Sequence, residues 1–185
     1  MSLLRSFLTF MMVLLLAPSL WAGGTAESHG APEADDHADE YDSIPEIGRL
    51  VGPDEQLLLV ATTNIIGDVV ANIAGDTTTL SVLVPAGQNP HSYEPTPSAL
   101  RSVERAHLVL VNGFHLEEAL LDDIRDVASG PIVPVSAGIA PVEFTPAGDD
   151  HDHQEGDPHV WMDPNNLIVW VENIVDVLSA ADPEN

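Results

Sequence analysis

Residues 57–84 read LLLVATTNIIGDVVANIAGDTTTLSVLV, and this stretch decides the fold class. Its first five residues, 57–61, form an apolar run that predicts a buried strand. Residues 64–74 place apolar side chains at helical spacing, and Gly75 ends that pattern. Residues 77–84 are rich in β-branched side chains and predict a second strand. A strand, a helix and a strand in succession are typical of an α/β fold with a parallel sheet.

The same alternation continues towards the C-terminus. Thr96 is a favoured N-cap and Pro97 suits the first helical position, so a helix is predicted through residue 105. Three more elements are predicted after it: strands over 107–111 and 131–135, and an amphipathic helix over 116–127. The sequence therefore predicts an α/β lobe over residues 57–162, with a four-stranded parallel sheet flanked by helices.

A last helix is predicted within residues 163–185, because Asp163-Pro164 repeats the cap followed by proline and Asp182-Pro183 closes the helix. Its apolar residues fall on one face: Leu167, Trp170, Val171, Ile174, Val175 and Leu178. The lobe can cover only part of this stripe. We expect the rest to pack on a second lobe that is absent from this sequence.

Composition excludes several classes of protein. The 185 residues include 5 Lys+Arg, 30 Asp+Glu and no cysteine, giving a formal net charge of −25. Without cysteine there is no thiolate metal site, thiol nucleophile or lipid-modified cysteine. So acidic a chain cannot neutralise phosphates, and nucleic acid is not an expected partner. The hydrophobic content of 44% is typical of a globular protein. The acidic charge of this protein should attract cations. We also expect it to be a monomer.

The N-terminus is typical of an exported protein. Arg5 precedes an apolar run over residues 7–16, and small residues follow at 22–24. We expect residues 1–23 to be a cleaved signal peptide and the protein to be periplasmic; the alternative is an N-terminal membrane anchor, for which the run is short. Residues 24–56 are predicted to be an acidic disordered leader, serving as a linker or as a weak metal-collecting arm.

Two histidines stand out because prolines surround them and helices follow them. His91 lies in the connection after the second strand, and His159 lies in the segment before the last helix. Ligands of open α/β sheets bind at the carboxyl ends of the strands. A neutral imidazole is a common ligand of transition metals, and a carboxylate on its other nitrogen fixes the tautomer. Three carboxylates are candidates for that partner: Glu94, Asp157 and Asp163. An ordinary hydrogen-bonded loop histidine is the alternative for each ring.

The remaining histidines receive other interpretations. His107 begins a strand and is expected to be structural, and His115 is expected to be a capping or surface residue. His151 and His153 lie in the acidic loop 148–157, where they are accessory metal-collecting candidates or parts of a solvated loop.

Five segments, in this order along the chain, carry a resemblance to a known family. They are VATTNIIGD (60–68), IAGD (73–76), PHSYEPTP (90–97), AHLVLVNG followed by Leu116-Glu117 (106–117), and DPHVWMDP (157–164). Together they resemble the periplasmic metal-binding solute-binding proteins of zinc/manganese ABC transporters. The likeness covers residues 57–185 and corresponds to the N-terminal lobe only.

The resemblance implies a site and a function. His91 and His159 would be the two metal ligands of this lobe, and the helix from Asp163 would begin the connection between lobes. The family's second lobe supplies the remaining ligands. The implied function is capture of a divalent metal, zinc rather than manganese, for delivery to the permease of an ABC transporter.

Two other functions compete with metal capture for transport. An acidic periplasmic metal buffer without a transport partner would bind ions weakly through residues 25–55 and 148–157. A metallohydrolase is disfavoured, because His151-Asp-His153 lacks the spacing of a binuclear signature and no His-Glu-x-x-His occurs. We therefore expect no enzyme activity.

Overall fold

The expected strands pair as one parallel sheet in the computed structural model, which describes residues 43–140, 142 and 156–185. The strands are β1 (Leu57–Thr63), β2 (Thr78–Val84), β3 (Leu108–Val111) and β4 (Ile132–Pro134). Their order across the sheet is β2-β1-β3-β4. Leu59 pairs with Leu80 on one side and with Leu108 on the other. The predicted α/β fold with a four-stranded parallel sheet is confirmed.

Four helices follow the strands or cross the sheet: α1 (Asn64–Ala74), α2 (Pro97–Arg105), α3 (Glu118–Val127) and α4 (Pro164–Ala181). Thr63, Thr96 and Asp163 cap three of them by accepting a backbone N–H from the first turn. These caps satisfy donors that the helix itself cannot pair. In the part of the chain that the structure describes, no helix has the length and apolar character needed to cross a membrane.

Successive strand residues face opposite layers of the core. Leu59 and Leu110 belong to a cluster that α1 and α4 cover, whereas Val60 and Val109 belong to a cluster that α2 and α3 cover. Burial on both faces explains why the strands are almost continuously apolar. Since all strands are parallel, their carboxyl ends meet at one edge of the sheet, where the connections to the helices begin.

Several predicted boundaries shift by one or two residues. The helix predicted over 116–127 begins at Glu118, because Gly113, Phe114 and His115 have φ values of 90°, 51° and 55° and form a left-handed turn before it. The strand predicted to start at residue 77 starts at Thr78, since Gly75–Thr77 form a 3-10 turn. The other two strands are trimmed at their ends, to Leu108–Val111 and Ile132–Pro134.

The last part of the expected leader packs against the lobe. Val51 is buried, and Ile44, Ile47 and Leu50 are partly buried against the larger core cluster. The Leu50 N–H donates to the carbonyl of Ala181 at the end of α4 over 2.8 Å. Residues 43–56 therefore join the packed lobe, and the predicted boundary at residue 57 falls too late. The signal peptide and the first part of the leader lie outside the described residues.

The final helix buries only part of its apolar stripe against the lobe, as the sequence predicts. Trp170 and Ile174 are buried as expected, together with Val177 and Ala181. Three apolar residues on another side of α4 are exposed, at 57% for Ile168, 40% for Val171 and 39% for Val175. Val171 and Val175 therefore do not belong to the buried face.

Candidate metal centre

His91 lies in the stiff connection that leaves the end of β2. A turn closes between Pro85 and Gln88, and a single 3-10 turn spans Pro90–Ser92. The Asn89 side chain accepts the backbone N–H of His91 over 3.1 Å and caps that turn. The imidazole itself is exposed. The local sequence therefore fixes the backbone of His91 and leaves its ring exposed at the edge of the sheet where the strands end.

His159 lies in the segment that precedes α4. Val160–Met162 form a 3-10 turn, in which Val160 is buried and anchors the segment to the core. Asn166 of α4 donates its side-chain amide to the Val160 carbonyl over 2.9 Å. The side chain of His159 is 41% exposed. A residue 68 positions from His91 in the chain is thus held at the same edge of the sheet.

The two imidazoles meet directly. The Nε2 atoms of His91 and His159 are 3.3 Å apart, and the ring centroids are 5.3 Å apart with the planes tilted by 59°. Both residues are candidates from the sequence, and the fold brings them together. Two imidazole nitrogens this close suit a shared ligand, a proton or a metal ion.

Asp157 fixes the tautomer of His159. Its Oδ1 is 2.7 Å from Nδ1 of His159 and also accepts the backbone N–H of that residue over 2.9 Å. The backbone hydrogen bond, followed by the bond from the ring, holds the pKa of the Asp157 carboxyl below its usual range. A carboxylate at Nδ1 retains the proton there, so the Nε2 lone pair of His159 points towards His91. Of the three candidate partners, Asp157 takes this role, and Asp163 instead caps α4.

Aromatic contacts hold the His159 ring from another side. The Trp161 ring lies edge-on to it, with centroids 5.2 Å apart. Trp161 in turn contacts the buried Trp170, with centroids 6.2 Å apart. The indole N–H of Trp170 donates to the Ser136 hydroxyl over 2.9 Å, which ties this stack to the segment after β4. The orientation of His159 therefore depends on packing as well as on Asp157.

The two other histidines that the structure describes do not join the pair. His107 Nδ1 accepts the N–H of Leu58 over 3.1 Å at the opposite end of the strands, in line with a structural role. His115 is exposed on the turn before α3. His151 and His153 lie outside the described residues. Within residues 43–140, 142 and 156–185, no group of three or more His, Cys, Asp or Glu side chains is arranged to hold a metal ion.

Two buried residues near the pair, Asn112 and Glu117, have no role predicted from the sequence. Asn112 follows β3 and is fully buried, and its amide donates to the Pro158 carbonyl, next to His159, over 3.0 Å. Glu117 is 2% exposed and accepts hydrogen bonds from the Thr62 hydroxyl and the Asn112 N–H. Burial raises the pKa of Glu117 from 4.5 to about 7. The spacing of Glu117 from Leu120 and Ile124, which places it on the buried face of α3, could have identified it.

The comparison with known families matches this lobe. Residues 59–185 match the model of the ZnuA family, described as the periplasmic component A of a zinc-uptake complex. The chain belongs to this family. The match confirms the resemblance carried by the five sequence segments, because it spans the sheet, both histidine segments and α4.

Two sequence relatives of this ZnuA-family chain have manganese in their names. It is 36% identical over 138 residues to the manganese ABC transporter substrate-binding lipoprotein PsaA of Streptococcus pneumoniae, covering 71% of the chain and 44% of that relative. It is 37% identical over 131 residues to the manganese-binding lipoprotein MntA of Halalkalibacterium halodurans, covering 70% and 41%. The chain thus spans less than half the length of these relatives.

A solved structure agrees with the sequence relatives. The Mn-bound periplasmic metal binding protein from candidatus liberibacter asiaticus superposes with a TM-score of 0.63 at 36% identity. The matched region covers 71% of this chain and 47% of that structure. The agreement indicates that the ZnuA-family fold of one lobe is present.

Proposed function

We propose that this chain captures a divalent transition metal outside the cytoplasm, with His91 and His159 as its ligands, for delivery to the membrane permease of an ABC transporter. The observation that supports this most directly is the 3.3 Å separation of the two Nε2 atoms. Two nitrogens bound at 2.0–2.1 Å to one tetrahedral zinc ion lie about 3.3 Å apart. The pair is thus spaced to receive a metal with little rearrangement.

Zinc is the metal we propose, with manganese as the alternative. Imidazole nitrogens suit zinc well, whereas manganese is commonly bound with more oxygen ligands. Manganese is supported by the names of PsaA and MntA. The described residues offer two imidazoles, so we propose that water or groups from elsewhere complete the coordination. His ligands bind metals in the neutral form, and metal affinity should fall as the solution becomes acidic.

The proposed action is binding and release without chemical change to the metal. Export through the N-terminal apolar segment is part of the proposal, since an extracytoplasmic receptor must leave the cytoplasm. A simple acidic buffer would not require two converging imidazoles with one tautomer fixed by Asp157, and membership of the ZnuA family supports a binding protein over an enzyme.

Competition titrations with a chromophoric chelator test the proposal. The samples are the wild-type chain, His91→Ala, His159→Ala and the control His115→Asn, each titrated with Zn²⁺ and with Mn²⁺. Asn tolerates the left-handed backbone at position 115, so this control removes an imidazole without added strain. We expect the tightest Zn²⁺ site to be lost in both Ala variants and kept in the control. Equal binding by all four proteins would exclude the pair as the site.

A further inference from the structure

We propose that Asn112, held in place by Glu117, is a positioning residue for the metal site, because it ties the segment of His159 to the end of β3. This inference rests on the proposed metal-binding function. Neither Asn112 nor Glu117 offers a ligand to the metal; they act through the backbone next to His159.

A direct hydrogen bond connects Asn112 to the segment of His159. The side-chain Nδ2 of Asn112 donates to the carbonyl of Pro158 over 3.0 Å and to the carbonyl of Gly113 over 2.8 Å. Asn112 is fully buried at the end of β3. Pro158 immediately precedes His159. One buried amide therefore connects a central strand of the sheet to the backbone beside a proposed ligand.

Glu117 in turn holds the backbone of Asn112. One oxygen of Glu117, Oε1, accepts the backbone N–H of Asn112 over 2.8 Å and also the hydroxyl of Thr62. Thr62 lies in β1 and Asn112 directly follows β3, and these two strands are neighbours. The carboxyl thus fixes the ends of the two central strands relative to each other. Its burial leaves little freedom for Asn112 to move.

A left-handed turn connects Asn112 to Glu117. Gly113, Phe114 and His115 have consecutive positive φ values, and two of these residues are not glycine. Such conformations are unfavourable for residues with a Cβ and persist only where the surroundings enforce them. Here the Asn112 amide holds the carbonyl of Gly113, and Glu117 closes back on the N–H of Asn112. These hydrogen bonds hold the turn in its unfavourable conformation at the edge of the sheet that carries the histidine pair.

Removal of Asn112 should therefore weaken the binding of the metal. A metal site must hold its ligands within about 0.5 Å of the productive geometry, and groups behind the ligands supply that order. Loss of outer partners of metal ligands commonly lowers affinity 10- to 100-fold. Asn112 acts one contact further out, through the backbone, so we expect its removal to raise the Kd for Zn²⁺ about tenfold, the low end of that range.

Asn112→Ala and Asn173→Ala form a matched pair for the test. Asn173 also donates its amide to two backbone carbonyls, those of Val135 (2.8 Å) and Ala137 (2.9 Å), but neither adjoins a histidine of the pair. Both variants lose similar hydrogen bonds, so both should lower the free energy of unfolding. We expect only Asn112→Ala to weaken Zn²⁺ binding about tenfold. A Kd within twofold of the wild-type value for Asn112→Ala, or an equal loss in Asn173→Ala, would overturn the proposal.

A spectroscopic measurement separates positioning from general loosening. In ¹⁵N spectra of the histidine rings, Asn112→Ala should shift the His159 resonances more than those of His107, which is remote from the network. Equal shifts in both rings would contradict the inference. If Asn112→Ala does not fold, Thr62→Val removes the hydroxyl that donates to Glu117 and should also raise the Kd for Zn²⁺, whereas an unchanged Kd would contradict the inference. Failure of the wild-type chain to bind Zn²⁺, or unchanged binding by His159→Ala, would instead refute the proposed function.

Discussion

Glu117 gives this lobe a pH-dependent stability that one substitution can isolate. Its carboxyl is 2% exposed and sits between the ends of β1 and β3. In Glu117→Gln the ionisable group is gone, while the side-chain oxygen can still accept hydrogen bonds from Thr62 and Asn112. The variant therefore changes the charge and preserves the acceptor geometry.

The magnitude follows from the pKa. Burial raises the pKa of Glu117 from 4.5 to about 7, against the lowering effect of its hydrogen bonds. At about 1.4 kcal/mol per pKa unit, this difference corresponds to about 3 kcal/mol. Because the folded-state pKa is the higher one, the protonated acid favours the folded state. That stabilisation is fully present below about pH 4.5 and is lost as the pH rises to about 7.

Urea unfolding followed by tryptophan fluorescence measures the effect, from about pH 4 to about pH 8 at constant salt. We expect the unfolding free energy of Glu117→Gln, minus that of the wild type, to increase by about 3 kcal/mol across this range. Glu118→Gln removes one charge from the exposed side of the same helix and controls for the change in net charge. A Glu117→Gln difference that stays constant with pH would refute the reasoning.

Three further predictions concern the site, the backbone and the surface. Asp157→Asn should weaken Zn²⁺ binding about tenfold because His159 loses its anionic partner, whereas Asp163→Asn keeps an equally good helix cap and should leave the affinity unchanged in the same competition titration. Gly130→Ala should lower the urea-unfolding free energy by about 1–3 kcal/mol, because an added Cβ would lie 2.2 Å from the carbonyl oxygen of His107; unchanged stability would contradict this contact. The net charge of −25 predicts that the Tm rises in about 1 M NaCl, where the Debye length is ~3 Å, and a Tm independent of salt would contradict self-repulsion as a destabilising force.

Much of the fold could be predicted because its elements have strong local patterns. The strand over residues 57–61, the helix capped by Thr96 and the helix capped by Asp163 all form where propensity and capping place them. The packing of residues 43–56 was missed because the segment continues an acidic stretch, and its apolar residues, such as Leu50 and Val51, belong to no helix or strand. Only contact with the end of α4 makes them part of the core.

The two histidines could be named as candidate ligands because proline-rich segments surround them. His91 and His159 were both named from sequence, and the fold brings their Nε2 atoms together. The supporting residues were missed for a physical reason. Asn112 acts through contacts 46 residues away, and Glu117 follows a left-handed turn that local propensity opposes. The spacing of Glu117 from Leu120 and Ile124 indicates that Glu117 is buried, but the partners of both residues are set by tertiary contacts that single-sequence patterns do not encode.

X-ray absorption at the zinc edge tests the central claim most directly. The wild-type chain and His91→Ala would each be loaded with one equivalent of Zn²⁺ and compared. We predict two imidazole nitrogens at about 2.0 Å in the wild-type chain and at most one in the variant, because the substitution removes one ring of the pair. A wild-type spectrum without imidazole ligands, or the same number of imidazoles in both proteins, would contradict the assignment of His91 and His159 as the metal ligands.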